Sequence, residues 1–292
     1  MDLDLAQLLA LDATVTAGTL DGAARALHVT PSAISQRLKA LEAATGRVLL
    51  VRSKPVQVTA SGQAVLRLAR QVALLAADTA RELAGPAGPV TLPIALNADS
   101  MATWVLPALA PLAGEFAFDL YREDQEHTAA LLRDGRVMAA VTAAADPVPG
   151  CSVTRLGGMR YRPVAAPAFA ARWFPDGVTA EALSRAPVVV FDRRDDLQHG
   201  YLRTRGVDPA APPLHHVPAS VDFLTAVTLG LGWGMLPRQQ EPAGELVELD
   251  PAGAVDVVLH WQQWRLRSPS LDRVAAAVLA AARTALDQRV PQ

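Results

Sequence analysis

The segment His28–Gly46, HVTPSAISQRLKALEAATG, decides the fold of the N-terminal part of this chain. Thr30 is a favourable N-cap, and Pro31 follows at the first helical position, where its missing N–H costs nothing. Gly46 is a natural helix end, because glycine adopts the left-handed conformation that often follows a helix. The segment therefore predicts a helix that begins at residue 31 and ends before Gly46.

This predicted helix has one apolar face and one polar face. Ile34, Leu38 and Leu41 follow each other at i, i+4 and i+7, so they are expected to pack inward. The second face carries hydroxyls, an amide and cations but no carboxylate, and we call it the recognition face: Ser32, Ser35, Gln36 and Lys39, flanked by Arg37. Such groups hydrogen-bond base edges and phosphates in a major groove.

The neighbouring segments complete a winged helix-turn-helix. Two helices, over residues 4–17 and 21–27, precede the recognition face, and RVLLVRSKPVQVT (47–59) predicts two short strands with a basic turn between them. Residues 1–58 are therefore predicted to form a DNA-binding domain. Its candidate DNA contacts are polar or basic: Thr30, Ser32, Ser35, Gln36, Arg37, Lys39, Arg52 and Lys54.

Charge is distributed unevenly in a chain whose net charge is only −2. Between residues 23 and 58, six basic side chains face the single carboxylate of Glu42: Arg25, Arg37, Lys39, Arg47, Arg52 and Lys54. A local basic excess is typical of a phosphate-binding surface. Charge alone favours a solvated helix face, so the DNA-binding interpretation depends on the recognition face.

A long helix is predicted to follow the wing. Val65, Leu68, Val72 and Leu75 repeat with the spacing of a heptad seam. Packing within the chain explains such a seam, but after a DNA-binding domain a dimerisation helix is favoured, because two half-sites need two copies. Residues 59–89 are predicted to form this linker helix and a hinge, which GPAGP (85–89) provides.

From residue 90 to residue 292, strand-like and helix-like segments alternate, which predicts an α/β effector domain with a mostly parallel sheet. We expect two lobes, one formed by about 90–160 with 267–292 and the other by about 161–266. Ligands of such folds bind beyond the carboxyl ends of strands. Four loops are candidates there, and their residues are polar or acidic, with one tryptophan: Asn97, Ser100, Thr103, Trp104, Glu123, Asp124, Thr142 and Asp222.

The chemistry of these loops predicts an amino acid with a cationic side chain. Ser100 and Thr103 place hydroxyls at a helix start, which suits a carboxylate, whereas Glu123 and Asp124 suit an ammonium group. Each residue also has a plain structural explanation. Ser100 is able to cap a helix, Glu123 and Asp124 to offset a helix dipole, and Trp104 to belong to the core.

Other classes of protein fit the sequence less well. A 51% hydrophobic and 19% charged chain is globular, and its single cysteine, Cys151, excludes an intramolecular disulfide. Neither a signal peptide nor a membrane span is recognisable, so we expect a cytoplasmic protein. The scattered histidines lack metal-ligand spacing, and we expect no metal, no cofactor and no enzyme activity. The alternative is a cytoplasmic amino-acid-binding enzyme or carrier with an incidental N-terminal helical bundle.

Two stretches resemble the LysR-type transcriptional regulators. AARALHVTPSAISQRLKALEAATGRVLLVRSKPVQVTASG (23–62) is similar to the family's N-terminal signature, and GLGWGMLP (230–237) to a run common in its effector domains. The resemblance implies that the recognition face reads DNA and that Arg52 is the wing arginine. It also implies a linker helix that pairs chains, and a homodimer that assembles into a homotetramer.

Four further segments resemble the branch of this family that controls arginine and lysine export: ALNADSMATWVLPAL (95–109), REDQEHTAALLRDGRVMAAVT (122–142), VVVFDRRDDLQ (188–198) and HWQQWRLRSPSL (260–271). This likeness implies an effector cleft between two lobes like those of periplasmic binding proteins. It implies lysine or arginine as the effector and an exporter gene as the target. It also implies an activator, with promoter DNA and RNA polymerase as partners.

Overall fold

A computed structural model describes residues 3–51, 53–85, 88–122, 125–240 and 244–290 of the chain. The N-terminal domain contains three helices and a short hairpin: α1 Leu5–Ala17, α2 Leu20–Ala26, α3 Pro31–Thr45, β1 Leu50–Val51 and β2 Gln57–Val58. Strands β1 and β2 pair antiparallel beside α3. The predicted winged helix-turn-helix is confirmed.

Local chemistry explains where α3 begins and ends. The Thr30 hydroxyl oxygen accepts the N–H of Ala33 at 3.2 Å, and Gly46 ends the helix with a φ of +63°. The three residues predicted to pack inward are buried in the core of this domain: Ile34, Leu38 and Leu41. Their burial leaves the other faces of α3 free to meet a partner.

The long helix α4, Ala60–Ala84, connects the two domains. Leu66 and Ala69 belong to the core of the N-terminal domain, whereas Leu74, two turns later, belongs to the core of the C-terminal domain. Leu68, from the predicted heptad seam, is 37% exposed. One side of α4 therefore packs within its own chain, and another side remains open.

The C-terminal domain contains strands β3 Val90–Leu96, β4 Phe116–Arg122, β5 Ala139–Thr142, β6 Cys151–Ala165, β7 Val188–Val190, β8 Leu214–His216, β9 Gly234–Pro237, β10 Val247–Glu248 and β11 Val255–Trp264. Its helices are α5 Ala98–Ser100, α6 Leu106–Leu109, α7 Gln125–Arg133, α8 Pro167–Trp173, α9 Ala180–Arg185, α10 Leu197–Thr204, α11 Ser220–Thr228 and α12 Pro269–Ala285. A π-helical turn at Met101–Val105 joins α5 to α6, and short 3₁₀ turns lie at Ala110–Leu112, Arg238–Gln240 and Pro251–Gly253.

The expectation of a mostly parallel sheet is wrong. The main sheet has the order β10-β6-β11-β5-β3-β4, with β9 also paired to β6. Only the β3–β4 and β3–β5 pairs within it are parallel, while β6 and β11 pair antiparallel with each other and with their other neighbours. These two long strands continue from one lobe into the other, and a separate parallel pair, β7 and β8, supports the second lobe.

The C-terminal segment packs on the first lobe. Helix α12 packs against α6 and β6, and the chain after it pairs with β6 at the Gly158–Asp287 bridge.

Within the described ranges, no helix combines the length and the apolar character that spanning a bilayer requires.

Candidate functional site

The recognition face of α3 is available to a partner. Ser32, Gln36 and Lys39 are exposed, and Ser35 and Arg37 are half-buried. Thr30 is exposed as well, although its hydroxyl oxygen is engaged as the helix cap. On the wing, Lys54 is exposed, and Arg52 lies outside the described residues.

Glu42, the only carboxylate of the basic stretch, points away from this surface. Its Oε1 accepts the backbone N–H of Leu49 at 2.8 Å and so ties α3 to the start of the wing. The charge that would repel a phosphate is therefore used to hold the hairpin. What remains is a positive, hydroxyl- and amide-bearing surface suited to duplex DNA.

A second site lies between the lobes, where Asp99 is hydrogen-bonded to Tyr161 and Ser220 and where Asp195 lies near enough for its charge to act on Tyr161; we call this group of four residues the interlobe cleft. Asp99 follows β3 in the first lobe, and its carboxylate accepts two hydrogen bonds. The Tyr161 hydroxyl donates to Oδ2 at 2.7 Å and the Ser220 hydroxyl to Oδ1 at 2.5 Å. Because Tyr161 lies on β6 and Ser220 begins α11, Asp99 connects the first lobe to the long strand and to the second lobe.

Asp195 is the second carboxylate of the cleft. Its oxygens accept the N–H groups of Phe191 and Leu197 at 3.2 and 3.0 Å, which hold the loop after β7. Burial raises the pKa of Asp195, and the negative charge of Asp99 raises it further. Burial followed by the charge of Asp99 also raises the pKa of Tyr161 well above its ordinary value. The cleft thus concentrates negative charge in a partly desolvated space, which favours a cationic ligand.

The two lobes also contact each other at the edge of the interlobe cleft. His127 on α7 of the first lobe lies with its Nδ1 3.1 Å from Nη1 of Arg194, which belongs to the loop after β7. The first turn of α7 therefore borders the cleft.

Four of the predicted effector residues form one compact group in the first lobe: Asn97, Ser100, Thr103 and Trp104. Asn97 Oδ1 accepts the N–H of Ser100 at 3.2 Å, and the Ser100 hydroxyl oxygen accepts the indole N–H of Trp104 at 3.2 Å. The Thr103 hydroxyl donates to the Asp99 carbonyl at 2.6 Å. These side chains thus stabilise the helical turn that presents the Asp99 carboxylate.

The remaining predicted effector residues are spread more widely. Thr142 is buried at the end of β5, where its hydroxyl oxygen accepts the N–H of Ala144 at 3.1 Å. Asp222 is exposed in the first turn of α11, two residues after Ser220. Glu123 and Asp124 lie outside the described residues.

Sequence reasoning did not select Asp99, Tyr161, Asp195 or Ser220 as site residues. A local signal existed for Asp99 and Ser220, since both stand in the loops that were selected. For Tyr161 and Asp195 there was none, because a tyrosine inside a long strand and an aspartate in a run of charged residues resemble ordinary structure and surface.

Both domains match known protein families. Residues 5–63 match the family "bacterial regulatory helix-turn-helix protein, lysR family", and residues 83–283 match "LysR substrate binding domain". The lysine export transcriptional regulatory protein LysG of Corynebacterium efficiens is 45% identical over 277 residues, which cover 92% of this chain and 94% of that protein.

Two solved structures resemble the whole chain. The crystal structure of ArgP from Mycobacterium tuberculosis has a TM-score of 0.88 and 43% identity, covering 99% of this chain and 100% of that one. The full-length LysG of Corynebacterium glutamicum with bound effector arginine has a TM-score of 0.78 and 39% identity, covering 97% and 99%.

Proposed function

Because this chain belongs to the LysR family of bacterial transcriptional regulators, we propose that it switches an amino-acid exporter gene in response to arginine or lysine. It is a regulator of the LysG/ArgP branch, and the alternative of an amino-acid-binding enzyme or carrier is set aside by that membership. The target and the ligand are inferred from relatives: one is named for lysine export, and another was solved with arginine bound.

The observation that carries the proposal is the pair of carboxylates in the interlobe cleft. Asp99 lies in the first lobe and Asp195 in the second, and the negative charge of Asp99 adds to burial in raising the pKa of Asp195. A guanidinium or ammonium group there gains charge-assisted hydrogen bonds and relieves the repulsion between the carboxylates. A neutral amino acid gains neither.

Around this pair we propose the ligand contacts as follows. Asn97, Ser100, Thr103 and Trp104 surround the α-amino-acid end, and Glu123 with Asp124 contributes to the cationic end. Thr142 and Asp222 lie on the walls. Asp99 and Asp195 join the acidic group, Asp99 from the first lobe and Asp195 from the second.

Binding changes the protein because the ligand contacts both lobes only when they are closed. A closed form that binds about 10–100-fold more tightly supplies about 1.4–2.8 kcal/mol of coupling. Bending a promoter site costs on the order of 1–6 kcal/mol, so coupling of this size is enough to change DNA geometry and polymerase recruitment.

Two chains are needed to read two half-sites, and the open side of α4 suits their pairing. Leu68 is partly exposed on that helix, and Leu83 near its end is 82% exposed. Apolar side chains left in water gain free energy when a second copy covers them. We propose a homodimer held by α4 that assembles further into a homotetramer.

Calorimetric titration tests the ligand, with arginine, lysine, histidine and alanine added to the full chain. Saturable binding of arginine or lysine and no binding of alanine is expected, whereas equal binding of alanine contradicts the proposal. Anisotropy with duplex DNA tests the other half. The logarithm of the binding constant should fall with the logarithm of salt concentration, with a slope of about 0.9 per phosphate neutralised.

A further inference from the structure

The side chain of Arg70, on α4, joins the DNA-binding domain to the effector domain. Its Nε donates to Oδ1 of Asp12 on α1 at 2.8 Å, and its Nη1 donates to the carbonyl of Gly135 at 3.1 Å. The Arg70 side chain is only 14% exposed. We call Asp12, Arg70 and Gly135 the Arg70 bridge. Both partners are held by one planar guanidinium, so neither domain moves independently of the other at this point.

The turn that contains Gly135 lies directly against α4. Arg67 Nη1 donates to the carbonyl of Arg133 at 2.8 Å, one helical turn before Arg70. A Cβ on Gly135 would lie 2.8 Å from the Arg67 Cα, and the φ of Gly135 is +66°. Both the close approach and the left-handed backbone require glycine. Any displacement of this turn must therefore move α4 or break the Arg70 bridge.

Helix α7 leads from the interlobe cleft to that turn. His127, in its first turn, borders the cleft beside Arg194, and Arg133, its last residue, meets α4. Its nine residues correspond to a length of about 13 Å. A helix this short moves as a rigid body, so a displacement of its first turn, beside the cleft, also displaces its last turn, beside α4.

We infer that α7 and the Arg70 bridge couple ligand binding to the orientation of the DNA-binding domain within a single chain. Lobe closure displaces the first turn of α7, the 133–135 turn shifts along α4, and Arg70 transfers that shift to Asp12 on α1. Arg70 is a positioning residue, since it acts through its neighbours. The inference rests on the proposed function, because a ligand-dependent change in DNA binding must exist before it is transmitted.

The test compares Arg70→Met with Arg81→Met in the full chain. Methionine keeps the length and apolar packing of the stem but donates no hydrogen bond. Arg81 is a matched control because it is also a guanidinium on α4 and donates to the Glu115 carbonyl of the effector domain at 3.3 Å. For each protein, the DNA dissociation constant is measured with and without saturating arginine, on a duplex selected from a random-sequence pool by the wild type.

We expect Arg70→Met to bring the ratio of these two constants to about 1, while its affinity for arginine stays within about threefold of the wild type. Arg81→Met should keep the wild-type ratio. If Arg70→Met also keeps it, the inference is overturned and the proposed function stands. If the wild type itself binds DNA equally with and without arginine, both fall.

A second variant guards against loss of folding. Asp12→Ala breaks the bridge from α1, where the carboxylate side chain is 27% exposed and its removal leaves no deep cavity. The same loss of ligand dependence is expected. A wild-type ratio in Asp12→Ala, with the protein folded by circular dichroism, overturns the inference as well.

Discussion

Replacing Asp99 by asparagine tests the cleft most directly. In the wild type, the Asp99 carboxylate accepts hydrogen bonds from two hydroxyls, that of Tyr161 at 2.7 Å and that of Ser220 at 2.5 Å. Both residues are buried, at 4% and 7% exposure. An amide has one acceptor oxygen, so one hydroxyl loses the Asp99 acceptor while the other bond becomes neutral; Ser220 keeps the longer contact with Gln240 Oε1 at 3.2 Å. The structure is therefore expected to lose interactions within the cleft and between the lobes.

The magnitude follows from the two bonds. Loss of one charge-assisted bond costs about 1.5–3 kcal/mol, and weakening the other to a neutral bond costs about 1 kcal/mol. Relief of the repulsion between Asp99 and Asp195 offsets about 1 kcal/mol, because the pair is half-buried and partly screened. We expect Asp99→Asn to lower the free energy of unfolding by about 1.5–3 kcal/mol and to weaken arginine binding on the order of tenfold or more.

Urea unfolding followed by tryptophan fluorescence measures the first quantity, and calorimetry measures the second. Tyr161→Phe is the control, since it removes one hydrogen bond and keeps the charge. It should cost about 1.5–3 kcal/mol of stability, as for any charge-assisted bond, but change arginine affinity by less than about threefold. An Asp99→Asn protein as stable as the wild type, with unchanged arginine affinity, would refute the assignment of this carboxylate.

Three further outcomes are expected. The pKa of Asp195 is raised above 3.8 in the folded state, so between pH 3.8 and that higher pKa the folded protein binds more protons than the unfolded chain. The free energy of unfolding should therefore fall as pH rises through this interval. Urea unfolding at several pH values should show a flatter decline for Asp195→Asn than for the wild type. Lys39→Met should weaken DNA binding and lower the slope of log affinity against log salt by about 1, which anisotropy at several salt concentrations measures. Gly62→Ala should destabilise the DNA-binding domain by about 1–3 kcal/mol in thermal unfolding, because its Cβ would lie 2.1 Å from the Leu49 carbonyl oxygen, whereas Gly114→Ala, with no atom within 4 Å, should have little effect.

The N-terminal domain was readable from sequence because its structure is set by neighbours in the chain. Thr30, Pro31 and Gly46 determine where α3 begins and ends, and the i, i+4, i+7 spacing determines which side is buried. Local hydrogen bonds and a single helical period suffice for both. The resemblance to the LysR family rested on the same dense local signature.

The strand directions in the sheet of the effector domain were harder to predict from the sequence. Alternating strands and helices predict an α/β domain, yet the direction in which β6 and β11 run depends on how a strand of one lobe continues into the other. Strand propensity is the same for parallel and antiparallel neighbours. The pairing partner, which is distant in sequence, decides between them.

The sequence by itself determined which face of α3 is polar and the order of the domains, and it predicted acidic effector loops, since residue type and short-range periodicity carry that information. Only the tertiary structure decided that Asp99 meets Tyr161 and Ser220, that Asp195 lies in the same cleft, and that Arg70 holds Asp12 and Gly135 together. These hydrogen bonds of Asp99 and Arg70 join residues that lie 58 to 121 positions apart in the chain. Such pairs are selected by the packing of whole elements, and no local pattern in the chain records which partner a polar side chain will face.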